Sequence, residues 1–219
     1  MENFRNLTAK AKVGRALYNS FKNALVSTVA SLVVCSIAGY GFEVYHDRGK
    51  DFLMRVLLLS MMIPFAAIMI PLFMMFGRAN LLSTTTAFVL PTVATAFLVF
   101  LFRQSARYFP TEIIEAARID GLSELGIFLQ MYIPIMRSTY ATAAIITFMA
   151  AWNNYLWPLI IMQDKNSITM PLLVSNLIAG YITDYGILML AVSISVLLTI
   201  IIFLILQSSF AEGIITSLR

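Results

Sequence analysis

The sequence is poor in charged residues. Only 12% of its 219 residues are Asp, Glu, Lys or Arg, whereas about a quarter is usual in a soluble globular domain. Hydrophobic residues make up 60% of the chain, and the mean hydropathy is +0.85. This balance excludes an ordinary soluble domain and predicts an integral membrane protein.

Cysteine and histidine are nearly absent, with one of each. Cys35 has no second cysteine for an intrachain disulfide, and Cys35 and His46 are too few for a metal site of the usual kind, so we expect no metal centre. The net charge of +4 comes from bases scattered through the loops. That scatter disfavours nucleic-acid binding and suits a protein that takes its orientation in a membrane from loop charges.

Five uncharged runs are long enough to cross a bilayer, which takes about 20 apolar residues. They are residues 23–42, 56–77, 79–102, 138–163 and 185–211. We therefore predict an all-α polytopic membrane protein with about five transmembrane helices. A sixth uncharged run, residues 166–183, contains Pro171 and Gly180, so we expect a loop with a short re-entrant or interfacial helix there.

Prolines interrupt two of the predicted spans. Pro64 and Pro71 lie in the second run and Pro91 lies in the third. A proline removes a backbone donor and crowds the preceding turn, so we expect kinked helices in a pathway that must rearrange.

Residues 1–22 alternate basic and apolar side chains, which predicts an amphipathic lead-in lying on a membrane face. No small-residue cleavage site follows the first run, so we expect that run to remain in the mature chain. The Lys and Arg residues outside the spans do not predict which way the chain crosses the membrane. With five spans, eight of these residues fall on one side of the membrane and seven on the other.

A charged segment separates the third and fourth runs. Pro110 and Thr111 supply a helix start, Glu112 and Glu115 put negative charge in its first turns, and Gly121 is a plausible stop. At about 100° per residue, one face carries the charged side chains and the other the apolar ones. The charged face holds Glu112, Glu115 and Arg118, and the other face holds Ile113, Ile114 and Ala117.

A second helix is predicted after this one. Ser123 and Glu124 begin it, and its apolar body runs to a break at Pro134. The small side chains of Ala116 and Ala117 would let a partner approach the backbone closely. The segment is therefore either a helix-turn-helix built to dock with a water-soluble partner or a loop helix stabilised by its own charges.

The spacing of this segment resembles the signature loop of the membrane permease subunits of ATP-binding-cassette importers. Glu115-Ala116-Ala117 is followed after three residues by Gly121, after nine more by Met131, and after one more by Ile133-Pro134. Met131 and Ile133 depart from the family pattern of Ile and Leu only by apolar exchange. The stretch AAWNNYLWPLIIM and the ending FAEGIITSLR are similar to the maltose-type group of sugar permeases, and the similarity covers nearly the whole chain from about Asn19.

The resemblance implies a permease without catalytic residues. Two homologous permease subunits, expected as a heterodimer, would form the pathway through the bilayer, and an extracytoplasmic solute-binding protein would deliver a sugar. A cytoplasmic ATPase dimer would use ATP and magnesium, with no cofactor bound by this chain. The resemblance further implies the plasma membrane of a bacterium or archaeon, with loop 103–137 and the C-terminus in the cytoplasm.

The same resemblance assigns roles in coupling to the ATPase. Glu115 would pair with a basic residue of the ATPase, Ala116 and Ala117 would permit close seating, and Gly121 would turn the chain between the two helices. Asp120 belongs to the same coupling group. Family members usually have six spans and a longer N-terminus, so the resemblance and the even loop charges together imply either an unusual N-terminus or a missing first span. The predicted layout is a lead-in over 1–22 followed by a permease domain over 23–219.

Candidate pathway residues lie at the end of the fourth run. Asn153 and Asn154, flanked by Trp152 and Trp157, are candidates for a gate or a sugar contact. The alternatives are that the amides hydrogen-bond to a neighbouring helix or to their own backbone, and that the tryptophans form an interfacial aromatic belt.

The central parts of the spans hold no acid or histidine, which disfavours an ion-coupled carrier. The predicted function is an ATP-driven sugar importer permease. The alternatives are the same mechanism for glycerol phosphate, amino acids or another small solute, or else a secondary carrier or membrane scaffold.

Overall fold

The computed structural model describes residues 13–178 and 185–217, with side chains as far as Leu204 in the last helix. Every regular element in these residues is helical, which confirms the all-α prediction. The helices are α1 (Val13–Val44), α2 (Arg48–Ser60), α3 (Phe65–Arg78), α4 (Thr85–Val89), α5 (Ala96–Ala106), α6 (Thr111–Ile119), α7 (Glu124–Ile135), α8 (Arg137–Trp152), α9 (Leu156–Ile161), α10 (Met170–Ile178) and α11 (Tyr185–Ser217).

Helix α1 is longer than the first predicted span. It has 32 residues and begins at Val13, so residues 13–22 of the predicted lead-in continue directly into the apolar run. Residues 1–12 lie outside the described part of the chain. The separate lead-in therefore stays a prediction, and its proposed end at residue 22 falls inside a helix.

The second and third predicted spans are each divided by a bend. Helices α2 and α3 meet at 97°, and α4 with its 3-10 extension Leu90–Thr92 meets α5 at 53°. Pro64 caps α3 and Pro91 lies in the 3-10 turn, so breaks occur where two of the prolines predicted them. Pro71 lies inside α3, which continues past it to Arg78.

By length and composition, α1 and the α11 segment Tyr185–Leu204 can each cross a membrane. The count rises to four if each bent pair forms one span. The fourth predicted run is divided between the 16-residue α8 and the short α9. The number of five spans thus stays a prediction. Helix α10 has nine residues, too few to cross, as expected for run 166–183, of which residues 179–184 lie outside the described part.

The described chain forms two compact units. The first comprises residues up to 29, 64–93 and 146–205, and its core includes the tryptophans of α8 and α9. Phe148 and Trp152 stack with ring centroids 6.1 Å apart, and the Trp157 ring meets Phe65 and Phe76 edge-on.

The second unit comprises residues 30–63, 94–145 and those from 206 onward. One of its clusters packs Cys35, Met54 and Phe102. Gly39 of α1 lies against α5, where an added Cβ would lie 2.5 Å from Phe102 Cβ and 2.7 Å from the Arg103 nitrogen. Only a residue without a side chain allows this approach of the two helices.

Candidate functional site

The candidate site is built on α6, which begins directly after Pro110. Pro110 adopts an extended conformation and provides no side-chain cap, while Glu112 places negative charge in the first turn. Both features favour helix initiation, because the proline ring fixes φ and the acid complements the helix dipole. The sequence predicted this start.

One face of α6 packs into the second unit. Ile114 and Ala117 are buried in a cluster with Phe109, Ile127 and Tyr132. The charged side chains predicted on the opposite face are exposed. These are Glu112, Glu115 and Arg118.

The two alanines of the signature differ in their exposure to solvent. Ala116 is exposed, whereas Ala117 is only 4% exposed and lies in the core of its own chain. Ala117 therefore contributes to seating α6 on the unit and is not available to a partner. We expected both alanines to permit close seating of a partner. The structure corrects this expectation, because only Ala116 is accessible.

Helix α6 ends at a glycine. Gly121 has a φ of +80°, a conformation that L side chains rarely adopt. Its N–H donates to the Arg118 carbonyl at 3.0 Å, and the Leu122 N–H donates to the Ala117 carbonyl at 2.9 Å. These two bonds form a glycine C-cap that reverses the chain directly after Asp120.

Helix α7 begins as predicted and ends later than predicted. The Ser123 hydroxyl accepts the Gly126 N–H at 3.2 Å, which caps the new helix. The chain widens to a π turn over Phe128–Tyr132 and runs through Pro134 to Ile135. The helix thus ends one residue after the predicted break at Pro134, and the wider turn accommodates a residue that cannot donate to an α-helical ladder.

The exposed part of α6 combines an acid with an apolar side chain. Ile119 is 86% exposed, and Glu115 forms no ion pair with another residue in the described part of the chain. A cavity of about 290 Å³ opens beside the helix. Its apolar part includes Phe109 and Ile114, and its polar part includes Glu43, Arg107, Glu115 and Arg118.

Glu124 links α6 to the residue that follows α1. Arg118 Nε donates to Glu124 Oε1 at 2.7 Å, and the Tyr45 hydroxyl donates to Glu124 Oε2 at 2.6 Å. The hydrogen bond from Arg118, followed by that from Tyr45, holds the pKa of Glu124 below its ordinary value. Sequence reasoning missed this bridge, because Tyr45 and Glu124 are 79 residues apart.

A second ionic cluster lies where α5 leads into the loop. The Arg103 side chain is 6% exposed and donates to Glu43 at 3.0 Å and to Asp51 at 2.6 Å. His46 lies 3.4 Å from both Arg103 and Asp51, and Arg107 lies 3.4 Å from Glu43. The sequence offers little to predict this cluster, apart from the position of its charged residues at the ends of uncharged runs.

The predicted pathway tryptophans lie in the core of the first unit. Trp152 and Trp157 are 1% and 0% exposed, and Trp157 Nε1 donates to the Ala87 carbonyl at 2.9 Å. Neither ring presents surface to a solute or forms an interfacial belt. Burial thus corrects their assignment to a pathway surface.

The neighbouring amides bond to local backbone. Asn153 Nδ2 donates to the Met149 carbonyl at 2.9 Å, and Asn154 Oδ1 accepts the Trp157 N–H at 3.4 Å. This is the local alternative considered for these residues. Asn153 is exposed and Asn154 is half-buried, so a gate or sugar contact at these two positions stays a prediction.

A polar stripe on α1 was not predicted. Asn19, Asn23, Ser27 and Ser31 recur every four residues and are all buried. Asn19 Nδ2 donates to the carbonyls of Asn166 and Ile168 in the first unit. A polar cavity of about 170 Å³ adjoins this end of α1, lined by Asn19, Lys22, Asn23, Ser83, Thr85, Met162, Asp164, Asn166 and Ser167.

Known proteins resemble the chain along most of its length. The lactose transport system permease protein LacG of Rhizobium radiobacter is 45% identical over 218 residues, covering 100% of this chain and 80% of that protein. The arabinooligosaccharides transport system permease protein AraQ of Bacillus subtilis is 34% identical, covering 96% and 76%. The sn-glycerol-3-phosphate transport system permease protein UgpE of Pectobacterium atrosepticum is 32% identical, covering 93% and 73%.

The fold also has a counterpart among solved structures. The crystal structure of a bacterial ABC transporter involved in the import of the acidic polysaccharide alginate superposes with a TM-score of 0.84 at 20% identity, covering 95% of this chain and 78% of that chain. The family model for the binding-protein-dependent transport system inner membrane component matches residues 23–215. The chain belongs to this family of inner membrane transport components.

Proposed function

We propose that this chain is the permease subunit of an ATP-driven importer that receives a sugar or oligosaccharide from a solute-binding protein. The observation that carries the proposal is the 45% identity, over the whole chain, to a permease named for lactose transport. Relatives named for arabinooligosaccharide transport support the same solute class.

The proposed docking surface for the ATPase is the exposed part of α6. Glu115 offers a carboxylate that is not engaged in an ion pair within the described chain, and Ile119 offers an apolar side chain beside it. Ala116 between them leaves room for the partner's backbone. These exposed side chains are the part of α6 that a water-soluble partner can reach.

The proposed arrangement puts loop 103–137 and the C-terminus in the cytoplasm. A second homologous permease would complete the pathway, and the ATPase dimer would bind ATP and magnesium. This chain would bind neither and would catalyse no reaction. Closure of the ATPase would bias the permease between two arrangements, which is the form that coupling must take.

A sugar suits the composition of the predicted spans. Its hydroxyls need neutral donors and acceptors, and the five runs are uncharged but contain Ser, Thr and Asn. The second candidate is glycerol phosphate, favoured by relatives with 29–32% identity that are named for its transport. A phosphate group is usually bound by Arg or Lys, which the five runs lack.

A pull-down from native membranes tests the proposal. We expect an ATPase and a second permease to co-purify with the wild-type chain, and Glu115→Lys to lose the ATPase. The matched control is Asp164→Lys, which makes the same charge change at an exposed acid of another loop. Absence of an ATPase from the wild-type sample, or equal loss in both variants, would contradict the docking role.

The solute is identified separately with the co-purified binding protein. Titration calorimetry with lactose, an arabinooligosaccharide and sn-glycerol-3-phosphate distinguishes the two candidates. Binding of a sugar supports the proposal, and binding of glycerol phosphate alone would replace its solute. A secondary carrier would instead take up solute without ATP, and a scaffold would not transport at all.

A further inference from the structure

We infer that the segment of residues 43–51, which comprises the end of α1 and the start of α2, holds the chain on either side of the coupling helix α6 and is the first element to receive its movement. We call it the anchor segment. The inference rests on the proposed function, because it concerns how movement of the ATPase reaches the permease. All the contacts that support it lie within the second unit.

The chain entering the loop is fixed to the anchor segment by a buried charge. Arg103 donates to Glu43 and Asp51, at either end of the anchor segment, and its side chain is 6% exposed. Arg107, four residues farther on, also pairs with Glu43 at 3.4 Å. A buried guanidinium that loses its carboxylates is strongly unfavourable, so the end of α5 must follow the anchor segment.

The chain leaving α6 is fixed to the same segment. Both carboxylate oxygens of Glu124 are engaged, one by Arg118 in the last turn of α6 and the other by the Tyr45 hydroxyl. Charge-assisted hydrogen bonds of 2.6–2.7 Å are at the strong end of the range. Glu124 therefore ties α6, the start of α7 and the anchor segment together.

The position of Arg118 connects this bridge to the docking surface. Arg118 is one turn beyond Glu115 on the same face and directly precedes Ile119. A partner that moves Glu115 or Ile119 must either carry Glu124 and Tyr45 along or break their hydrogen bonds. Tyr45 directly follows α1, a helix of 32 residues.

Residues 30–44 of α1 belong to the second unit, so displacement of Tyr45 acts directly on this part of the helix. The loop is connected by sequence only to α5 and α8. The anchor segment gives it a direct mechanical connection to α1 as well. Tyr45 and Glu124 are positioning residues in this account, since neither is part of the proposed docking surface.

A merely structural surface bridge is the competing explanation. Exposed ion pairs contribute little to stability, and the Arg118 and Glu124 side chains are 44% and 46% exposed. A structural role predicts a small change in stability with unaltered coupling. The anchor role predicts a change in solute transported per ATP hydrolysed.

Tyr45→Phe is the most selective test, because it removes a single exposed oxygen. Tyr108→Phe is its matched control, since Tyr108 lies between α5 and α6, is 77% exposed and has no hydroxyl hydrogen bond to another described residue. The whole importer is reconstituted in liposomes with its binding protein, and lactose uptake and ATP hydrolysis are measured together. We expect Tyr45→Phe and Glu124→Gln to lower uptake per ATP by about threefold to fivefold, with Tyr108→Phe unchanged.

Hydrogen exchange gives a readout that does not depend on transport. In the wild-type importer, ATP binding should alter exchange both in α6 and in residues 43–51. In Tyr45→Phe the change in α6 should persist while that in the anchor segment diminishes. The double variant Arg118→Glu/Glu124→Arg, which restores an ion pair, should recover part of the coupling.

Normal uptake per ATP in both Tyr45→Phe and Glu124→Gln, with the ATPase bound, would overturn this inference and leave the proposed function intact. Equal losses in Tyr45→Phe and Tyr108→Phe would also overturn it, because the effect would then not depend on the Glu124 bridge. Failure of the wild-type chain to bind any ATPase would refute the proposed function, and the anchor role would fall with it.

Discussion

Gly39 offers a sharp test of the packing of α1 against α5. Substitution by alanine would place a methyl group 2.5 Å from Phe102 Cβ and 2.7 Å from the Arg103 backbone nitrogen. Neither atom is the end of a flexible side chain, so the two helices must separate. Overpacking of this kind costs about 1–3 kcal/mol, and the better helix propensity of alanine returns at most about 1 kcal/mol.

Gly41 of the same helix provides the matched control. An added Cβ there has no neighbour within 4 Å, so Gly41→Ala gains helix propensity without a clash. For a chain of this size, about 1 kcal/mol corresponds to a shift in melting temperature of about 2–4 °C. We expect Gly39→Ala to melt up to several degrees below wild type and Gly41→Ala to melt at or slightly above it.

Thermal unfolding of the detergent-purified importer, followed by intrinsic fluorescence, measures both shifts under the same conditions. Gly39→Leu should be worse than Gly39→Ala, because the added volume has no space to enter. Equal melting temperatures for Gly39→Ala and Gly41→Ala would refute the close approach of α1 and α5.

Three further predictions concern the loop and its connections. Gly121→Val should weaken the capture of ATPase more than Gly121→Asn, because asparagine tolerates the positive φ of the C-cap and a β-branched residue does not; a pull-down compares them. Arg103→Met should lower the melting temperature by several degrees, because it removes the buried cation shared by two partly buried carboxylates and leaves only Arg107 beside Glu43 and His46 beside Asp51. Neutralising both carboxylates in the same chain should restore part of the loss. The pKa of Glu124 is depressed in the folded protein. Its contribution to the free energy of unfolding is therefore fully present above its ordinary pKa of 4.5 and is lost as the pH falls through its pKa in the folded protein. The difference in melting temperature between wild type and Glu124→Gln should therefore be small at neutral pH, since the pair is exposed, and should vanish on acidification; a difference that grows with acidification would contradict the assignment.

The local parts of the candidate site were predictable from the sequence. The start of α6 at Thr111, the turn at Gly121 and the cap at Ser123 are each set by a few neighbouring residues. Helix periodicity also separated the exposed acids from Ile114 correctly. Signals of this kind need no knowledge of how distant segments pack.

The features that depend on distant contacts were not predictable. Arg103 meets carboxylates 60 and 52 residues away, and no periodicity identifies such a pairing. Ala117 could be placed on the apolar face, but its burial against its own chain depends on Phe109 and Tyr132. For the same reason, Trp157 could be recognised as part of a motif, but not as a core residue bonded to Ala87.

Breaks within the long apolar runs were only partly predictable. Pro64 and Pro91 lie at bends, whereas the π turn before Pro134 shows how a helix continues through a proline when its geometry widens. The sequence shows where a proline removes a backbone N–H donor. Whether the helix ends, bends or widens there depends on the packing around it.

The central claim is that the exposed surface of α6 binds an ATPase. The most direct measurement replaces Ile119, 86% exposed, with a photo-crosslinking amino acid and identifies the product formed on illumination of native membranes. Met62 is the control site, since it is 80% exposed but lies between α2 and α3. The account predicts a cross-link to an ATPase subunit from position 119 and none from position 62; an ATPase cross-link from position 62 alone, or from neither position, would contradict it.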